Sequence, residues 1–329
     1  MPLFGHAAAI ASFRAALDAG KLPHAWLIAG PEGIGKATFA DKAALRVLAE
    51  GAGPPVSDAG LDVPAGHPIA ALFAAGSHPD LMRLERLPAD NAAGIARSIT
   101  VDQVRGLHRL FDTTPSLSRW RVVIVDSADD LEGRGAPNAL LKMLEEPPPN
   151  SLFLLVSHYP DRLLPTIRSR CRLLRLKPLP DDVMTSALRV LAPEAGEAEI
   201  AAMLRSAAGA PGRALAQRGL DLDRLDAAMD ELVRMGDPTN ARRSALAQAL
   251  SLKAAQPRYE AFLARAPARI AAEARGRQGP ALAEAIALWE RAVALSGAAR
   301  RLSLDGPSTV FELAGMLAAL APEQRQRAA

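Results

Sequence analysis

Ala25-Trp26-Leu27-Ile28-Ala29-Gly30-Pro31-Glu32-Gly33-Ile34-Gly35-Lys36-Ala37-Thr38-Phe39-Ala40 holds a strand, a turn and a helix start in one short run. Ala25 to Ala29 is an apolar run of strand length. Gly30, Gly33 and Gly35 let the backbone curl so that its N–H groups point inward. The helix that opens there adds partial positive charge at its N-terminus. Lys36 would reach the terminal phosphates of a nucleotide. Gly30-x-x-x-x-Gly35-Lys36 between strand and helix is therefore the context a phosphate-binding loop requires. A nucleotide-free turn kept for packing is the other reading.

Two positions count against hydrolysis. Ala37 stands where the motif needs a Ser or Thr hydroxyl to hold Mg²⁺. Thr38 lies one residue on, rotated by about 100° around the helix, and is expected to face the protein rather than a metal. The second half of such a site would be the acidic end of a strand, supplied by Val122-Val123-Ile124-Val125-Asp126. Asp126 would meet a metal through water. Hydrolases of this type usually carry Glu next, to orient the attacking water; here the residue is Ser127, a poor base at neutral pH. Asp129 and Asp130 read as helix caps.

The flanking sequence extends the pattern in both directions. Helical spacing places a helix over 7–19 and another from the loop through Ala49. Residues 51–77, rich in Gly, Pro and Ala, read as a long loop with a short helix at Ile69 to Phe73. Leu81 to Leu84 and Leu152 to Val156 read as further strands. Val101 to Phe111 reads as one helix, and Asn138 to Glu146 as another, stopped by Pro147-Pro148-Pro149. Strands alternating with helices over 1–176 predict a parallel α/β sheet. After Pro178-Leu179-Pro180 strand patterns vanish. Asp181-Asp182 reads as the cap of a helix through Leu191, and a second helix covers 196–208. Five more follow near 222–235, 239–252, 257–275, 280–302 and 307–320. The chain thus divides into an α/β domain over 1–177, a small helical domain over 178–218 and a larger helical domain over 219–329.

Composition narrows the function classes. Of 329 residues, 49% are hydrophobic and 23% charged, which fits a folded globular chain. Aromatics are only 4%, too few for a surface that binds nucleic acid chiefly by stacking. Lys plus Arg number 39 against 36 Asp plus Glu, and the net charge of +3 gives no sign of a large basic face. A single cysteine, Cys171, excludes a disulfide framework and any multi-cysteine zinc site. The longest apolar runs fall short of the roughly 20 residues of a membrane span, and no basic leader precedes one. A cytoplasmic protein is expected.

Several segments together carry a resemblance: His24-Ala25-Trp26-Leu27, His78-Pro79-Asp80-Leu81, Val101-Asp102-Gln103-Val104-Arg105, Trp120 to Asp126, Asn138 to Pro148, and Leu164-Pro165-Thr166-Ile167-Arg168-Ser169-Arg170-Cys171. Over about residues 4–215 the chain resembles the AAA+ clamp-loader subunits of bacterial DNA polymerase III, the delta-prime kind in particular. The last third matches only in length and helical character. The resemblance implies a RecA-like AAA+ α/β domain, a helical lid and a helical collar that assembles a hetero-pentameric ring. It implies as partners the delta and tau/gamma subunits, the sliding clamp and, through the assembled complex, primed DNA; no membrane is implied. The implied role is a stator that hydrolyses little or no ATP while its neighbours load the clamp during replication. Only by assembly into the polymerase holoenzyme would it belong to a nucleotidyltransferase.

The resemblance also assigns residues. Arg170, in Ser169-Arg170-Cys171, would reach in trans to ATP on a neighbouring motor subunit and neutralise charge developing in phosphoryl transfer. An ordinary surface arginine is the alternative, and Arg168 matches the position less well. Gly30, Gly33, Gly35, Lys36, Thr38 and Asp126 would form a nucleotide site of the chain's own, possible for ATP or ADP without efficient hydrolysis. Arg213, in Gly209-Ala210-Pro211-Gly212-Arg213, would face that nucleotide from the lid, or else form a surface salt bridge. Ser157 and His158 occupy the strand end where motor subunits often carry Thr or Asn. Glu145-Glu146 reads as structural or as part of a subunit interface, and Cys171 as a packing residue. Many relatives carry a four-cysteine zinc module after the loop helix. Residues 51–80 contain no cysteine, and His67 with His78 cannot close such a site, so neither zinc nor any other metal is expected. A tau/gamma-type motor subunit is the competing reading, and a small-molecule phosphate-loop kinase a more distant one.

Overall fold

The computed structural model describes residues 1–87, 98–302 and 304–322. Helix α1 (Ala7–Asp18) precedes strand β1 (Ala25–Ala29), and the glycine-rich turn leads into α2 (Lys36–Ala52). Then come α3 (Pro68–Ala74), β2 (Leu81–Glu85), α4 (Val101–Arg105), α5 (His108–Phe111), β3 (Arg121–Asp126) and α6 (Gly135–Glu145). Strand β4 (Ser151–Ser157), α7 (Pro165–Arg170) and β5 (Arg172–Arg175) complete the α/β part. The five strands lie in the order β2-β3-β4-β1-β5, and every pairing is parallel. Ala25 pairs with Phe153, and Val122 with Leu152.

Every residue of β1 and β4 is buried, because helices cover both faces. Trp26, Ile28, Ile124 and Leu154 turn to one face with Phe13 of α1 and Phe39 of α2. Ala25, Leu27, Val123 and Leu155 turn to the other with Leu140 and Leu144 of α6. Phe13 roots α1 on the sheet. Its ring centroid lies 5.1 Å from that of Trp26 and 6.1 Å from that of Phe39. Burying a side chain of this size is worth roughly 2–3 kcal/mol.

Three local readings are corrected. The helix expected over Val101 to Phe111 is two short ones, broken at Gly106-Leu107. A Thr100–Gln103 capping box starts the first, while the side-chain amide of Gln103 donates to Glu85 O at 2.9 Å. Strand β5 was not expected. Arg172 and Arg175 bound a four-residue edge strand in which only Leu174 is buried, which hides the apolar signature. Asp181 and Asp182 do not cap α8 through their side chains. They lie in its first turn, after the N-cap Pro180, where their charge still favours the helix dipole.

Residues 1–216 form one compact unit and 217–329 another. The first also contains α8 (Asp181–Leu191) and α9 (Glu197–Ala207), and α10 (Pro211–Gln217) closes it. The second is built from α11 (Leu222–Met235), α12 (Ala241–Ser251), α13 (Gln256–Ala274), α14 (Gly279–Leu302) and α15 (Gly306–Ala318) around Leu225, Phe262, Ile270 and Leu313. Asp237 is buried between α11 and α12. Burial pushes its carboxyl up, but the hydrogen bonds from the backbone and side chain of Arg243 and the backbone of Arg242 outweigh this and hold it below the usual range. No helix among the described residues is long and apolar enough to cross a membrane.

Candidate nucleotide site and exposed arginine corner

Strands β1, β4 and β3 are consecutive in the sheet, so their C-terminal ends bring three segments together: the glycine-rich turn, Ser157-His158, and Asp126. Open parallel sheets bind ligands at this edge. A cavity of about 220 Å³ opens there, lined by Gly33, Gly35, Lys36, Ala37, Thr38, Asp126, His158 and Gly212, with Leu3 and Phe4 from the N-terminal segment. Thr38 thus lines the cavity instead of facing into the protein as expected.

Gly33 has φ +77°, and a Cβ there would stand 2.4 Å from Arg213 N. The Gly212 N–H donates to Gly33 O at 2.7 Å, fastening the first turn of α10 to the loop. Arg213 is half-buried within Coulombic reach of Lys36. Lys36 is buried and folds back over its own loop, donating to Gly30 O at 2.7 Å and Pro31 O at 2.6 Å. Burial lowers its pKa to about 8, with Arg213 acting in the same direction and Glu32, Asp129 and Asp126 against it.

A Mg²⁺ ion is what the fold implies beside a phosphate loop, and the residues do not suit it. Ala37 supplies no side-chain oxygen. Asp126 faces Arg83 of β2, whose Nη1 lies 3.5 Å from Asp126 Oδ2, and the same guanidinium pairs with Asp41 of α2. The expectation that Asp129 and Asp130 are helix caps fails as well. Asp129 accepts hydrogen bonds from Ser157 Oγ (2.9 Å) and from the backbone N–H groups of His158 and Tyr159, tying off the end of β4. Asp130 accepts from Ser127 Oγ at 3.3 Å and pairs with Arg86 at 3.3 Å.

Arg170 is placed elsewhere. It is the last residue of α7 and is not among the residues lining the cavity. Its side chain is 34% exposed. Nη2 lies 2.7 Å from Glu145 Oε1 at the C-terminus of α6, and Nη1 donates to Thr166 O at 3.0 Å. A carboxylate at a helix C-terminus is disfavoured by the dipole, so Glu145 gains from the cation. Arg168 turns to Asp161 at 2.9 Å. Cys171 packs beside the sheet's second face, and burial pushes its thiol up to about 12, out of nucleophilic range.

Other quoted segments prove to be fastenings. The Asp80 carboxylate accepts the backbone N–H groups of Ser116, Leu117 and Ser118 at 2.6–2.8 Å, while His78 Nδ1 accepts from Asp80 N. His67 Nδ1 accepts from Ile69 N and its Nε2 lies 3.1 Å from Pro54 O. Buried Arg46 donates to the carbonyls of Val56, Gly60 and Asp62 and so organises the loop after α2. One cluster escaped the sequence reading: Arg105, His108 and Lys142 line a single groove of about 330 Å³ between α4, α5 and α6. Only the packing of these helices brings Lys142 beside the other two.

A family model described as DNA polymerase III, delta subunit, matches residues 5–180, within the first unit. The DNA polymerase III subunit delta' of Pseudomonas aeruginosa is 41% identical over 148 residues, 45% of this chain and 41% of that one. Its counterpart in Escherichia coli is 41% identical over 145 residues, 44% and 41% of the two chains. A Mycobacterium tuberculosis DNA polymerase III subunit gamma/tau is 33% identical over 200 residues, 60% of this chain and 32% of that one. The chain therefore spans about two-fifths of the length of the delta' relatives it matches, and about a third of the gamma/tau one.

Proposed function

We propose a role for a chain that belongs to the DNA polymerase III, delta subunit family: a delta-prime-type clamp-loader subunit that hydrolyses no ATP itself and supplies Arg170 to a neighbour's ATP. It would work in the cytoplasm, in a hetero-pentamer with delta and tau/gamma subunits, on the sliding clamp and primed DNA. The observation that carries this reading is the separation of two arginines. Arg83 pairs with Asp126, which lines the chain's own cavity, whereas Arg170 pairs with Glu145, which does not.

The chemistry follows from that placement. In phosphoryl transfer, charge spreads over the γ-phosphate oxygens, and a guanidinium presented from outside neutralises it. Glu145 and Thr166 O hold two of the guanidinium's nitrogens in place. Its remaining N–H groups are free of those two contacts and can meet phosphate oxygens. The chain has Ala37 at the position of the hydroxyl that holds Mg²⁺ and Ser127 at that of the base that orients water, so any ATP or ADP bound there would stay intact.

The test is ATP turnover by the purified chain, with and without primed DNA, beside co-purification with the other loader subunits. The expected result is no turnover by the chain alone and recovery of a stable complex. Turnover at the rate of a motor subunit, or failure to join the complex, overturns the reading.

A further inference from the structure

At the C-terminal end of β3 the three nearby aspartates are each engaged by protein donors. Asp129 is held by Ser157 Oγ and two backbone N–H groups, and Asp130 by Ser127 Oγ and Arg86. Asp126 remains, and with it Asp41 from the facing helix; one guanidinium, that of Arg83, lies against both. The strand register explains how it gets there. Glu85 of β2 stands beside Asp126, so Arg83 is two residues back on the adjacent strand. Successive side chains alternate between faces, and Arg83 therefore emerges on the same side of the sheet as Glu85.

We propose that Arg83 is the resident cation of this phosphate-loop site: it stands against Asp126 in place of a divalent ion and keeps the site free of metal. Mg²⁺ binds through one or two carboxylates together with phosphate oxygens and retained water. Here the two available carboxylates already share a tethered cation whose charge cannot be lost by deprotonation. Without Arg83, Asp41 and Asp126 would face each other as like charges, an arrangement that favours uptake of an external cation. The inference rests on the stator reading only for its consequence. Neighbouring motor sites gain and lose a metal-bound nucleotide in each cycle, while this strand end keeps one charge state and gives the ring a fixed member.

The experiment measures Mn²⁺ binding to the full chain by the EPR signal of the free ion, for wild type, Asp126→Asn, Arg83→Leu, Arg83→Lys and Arg83→Leu/Asp126→Asn. Wild type and Arg83→Lys are expected to show no site in the low-millimolar range. Arg83→Leu is expected to gain a single site at least about tenfold tighter than any binding by wild type, and Asp126→Asn in the same background to abolish it. Wild-type binding that Asp126→Asn removes would overturn the proposal, as would Arg83→Leu binding no better than wild type. Should Arg83→Leu fail to fold, Arg83→Gln takes its place, with the same gain of an Asp126-dependent site expected and its absence overturning the proposal. Loss of this proposal leaves the stator test intact, because that test reads ATP turnover and not metal.

Discussion

Arg83 and Arg170 are the same side chain at nearly the same exposure, 28% and 34%, but with different partners. Arg83 is shared by two aspartates, one of which, Asp126, lines the chain's own cavity. Arg170 ends a short helix on the surface, with one carboxylate partner and part of its guanidinium open to solvent. A guanidinium shared by two carboxylates has its charge met within the chain. One with a single carboxylate partner can still bind a second anion. On the proposed reading, sensitivity to ATP would have moved from the chain's own loop to its rim.

The largest expected effect breaks or sustains that contrast directly. Arg170→Ala should slow ATP hydrolysis by the assembled loader by about 10³, the lower end for an arginine finger, while leaving the melting temperature of the isolated chain unchanged. Lys36→Ala, at the chain's own loop, should change the same rate less than about twofold, within the range of substitutions that leave reacting groups untouched. If the two effects were reversed, the chain would be a motor.

Glu145 sharpens the comparison at the rim. Its pair with Arg170 is partly exposed and worth at most ~1 kcal/mol, so Glu145→Ala should reduce kcat of the assembled loader by about fivefold with KM for ATP unchanged. Glu145→Asp should recover part of the loss. A rise in KM with constant kcat would show that Glu145 shapes the interface and not the finger.

The difference between the two regions was only half legible in the sequence. The phosphate loop announces itself because its geometry is local: apolar strand, glycines, lysine and helix lie within a dozen or so residues of one another. Strands β1, β3 and β4 stood out for the same reason, each being a local apolar run, and the helices of the second unit as local runs of helix-forming residues. Arg83 did not, because its partners Asp126 and Asp41 are 43 and 42 residues away and only the parallel register of β2 on β3 joins them. Asp129 likewise looked like a helix cap until β4, some 28 residues on, came to lie beside it. The basic groove needed α6 against α4 and α5 before Lys142 met Arg105 and His108. That groove yields a smaller prediction: in the assembled loader, Arg105→Ala and Lys142→Ala should each reduce the salt slope of primed-DNA binding by about 1, the contribution of one phosphate contact. Unchanged slopes would remove the groove from the DNA path.

The smallest effect concerns Lys36 and pH. Burial lowers its pKa from the usual 10.5 to about 8, so between those values the folded chain binds fewer protons than the unfolded one. Stability therefore rises with pH across that window, because the cost of holding a buried ammonium is relieved as the proton leaves; below about 8 the cost is present in full. Other lysines also titrate there, so the informative quantity is the difference between wild type and Lys36→Met in urea-unfolding free energy from pH 7 to 10.5. The wild-type curve should climb relative to the variant between pH 8 and 10.5 and run parallel to it below. Saturating ADP should move the climb to higher pH if phosphate reaches the amine, since an anion stabilises the charged form. If ADP leaves the curve in place, Lys36 is held by Gly30 O and Pro31 O alone, and the loop is a packing turn that senses no nucleotide.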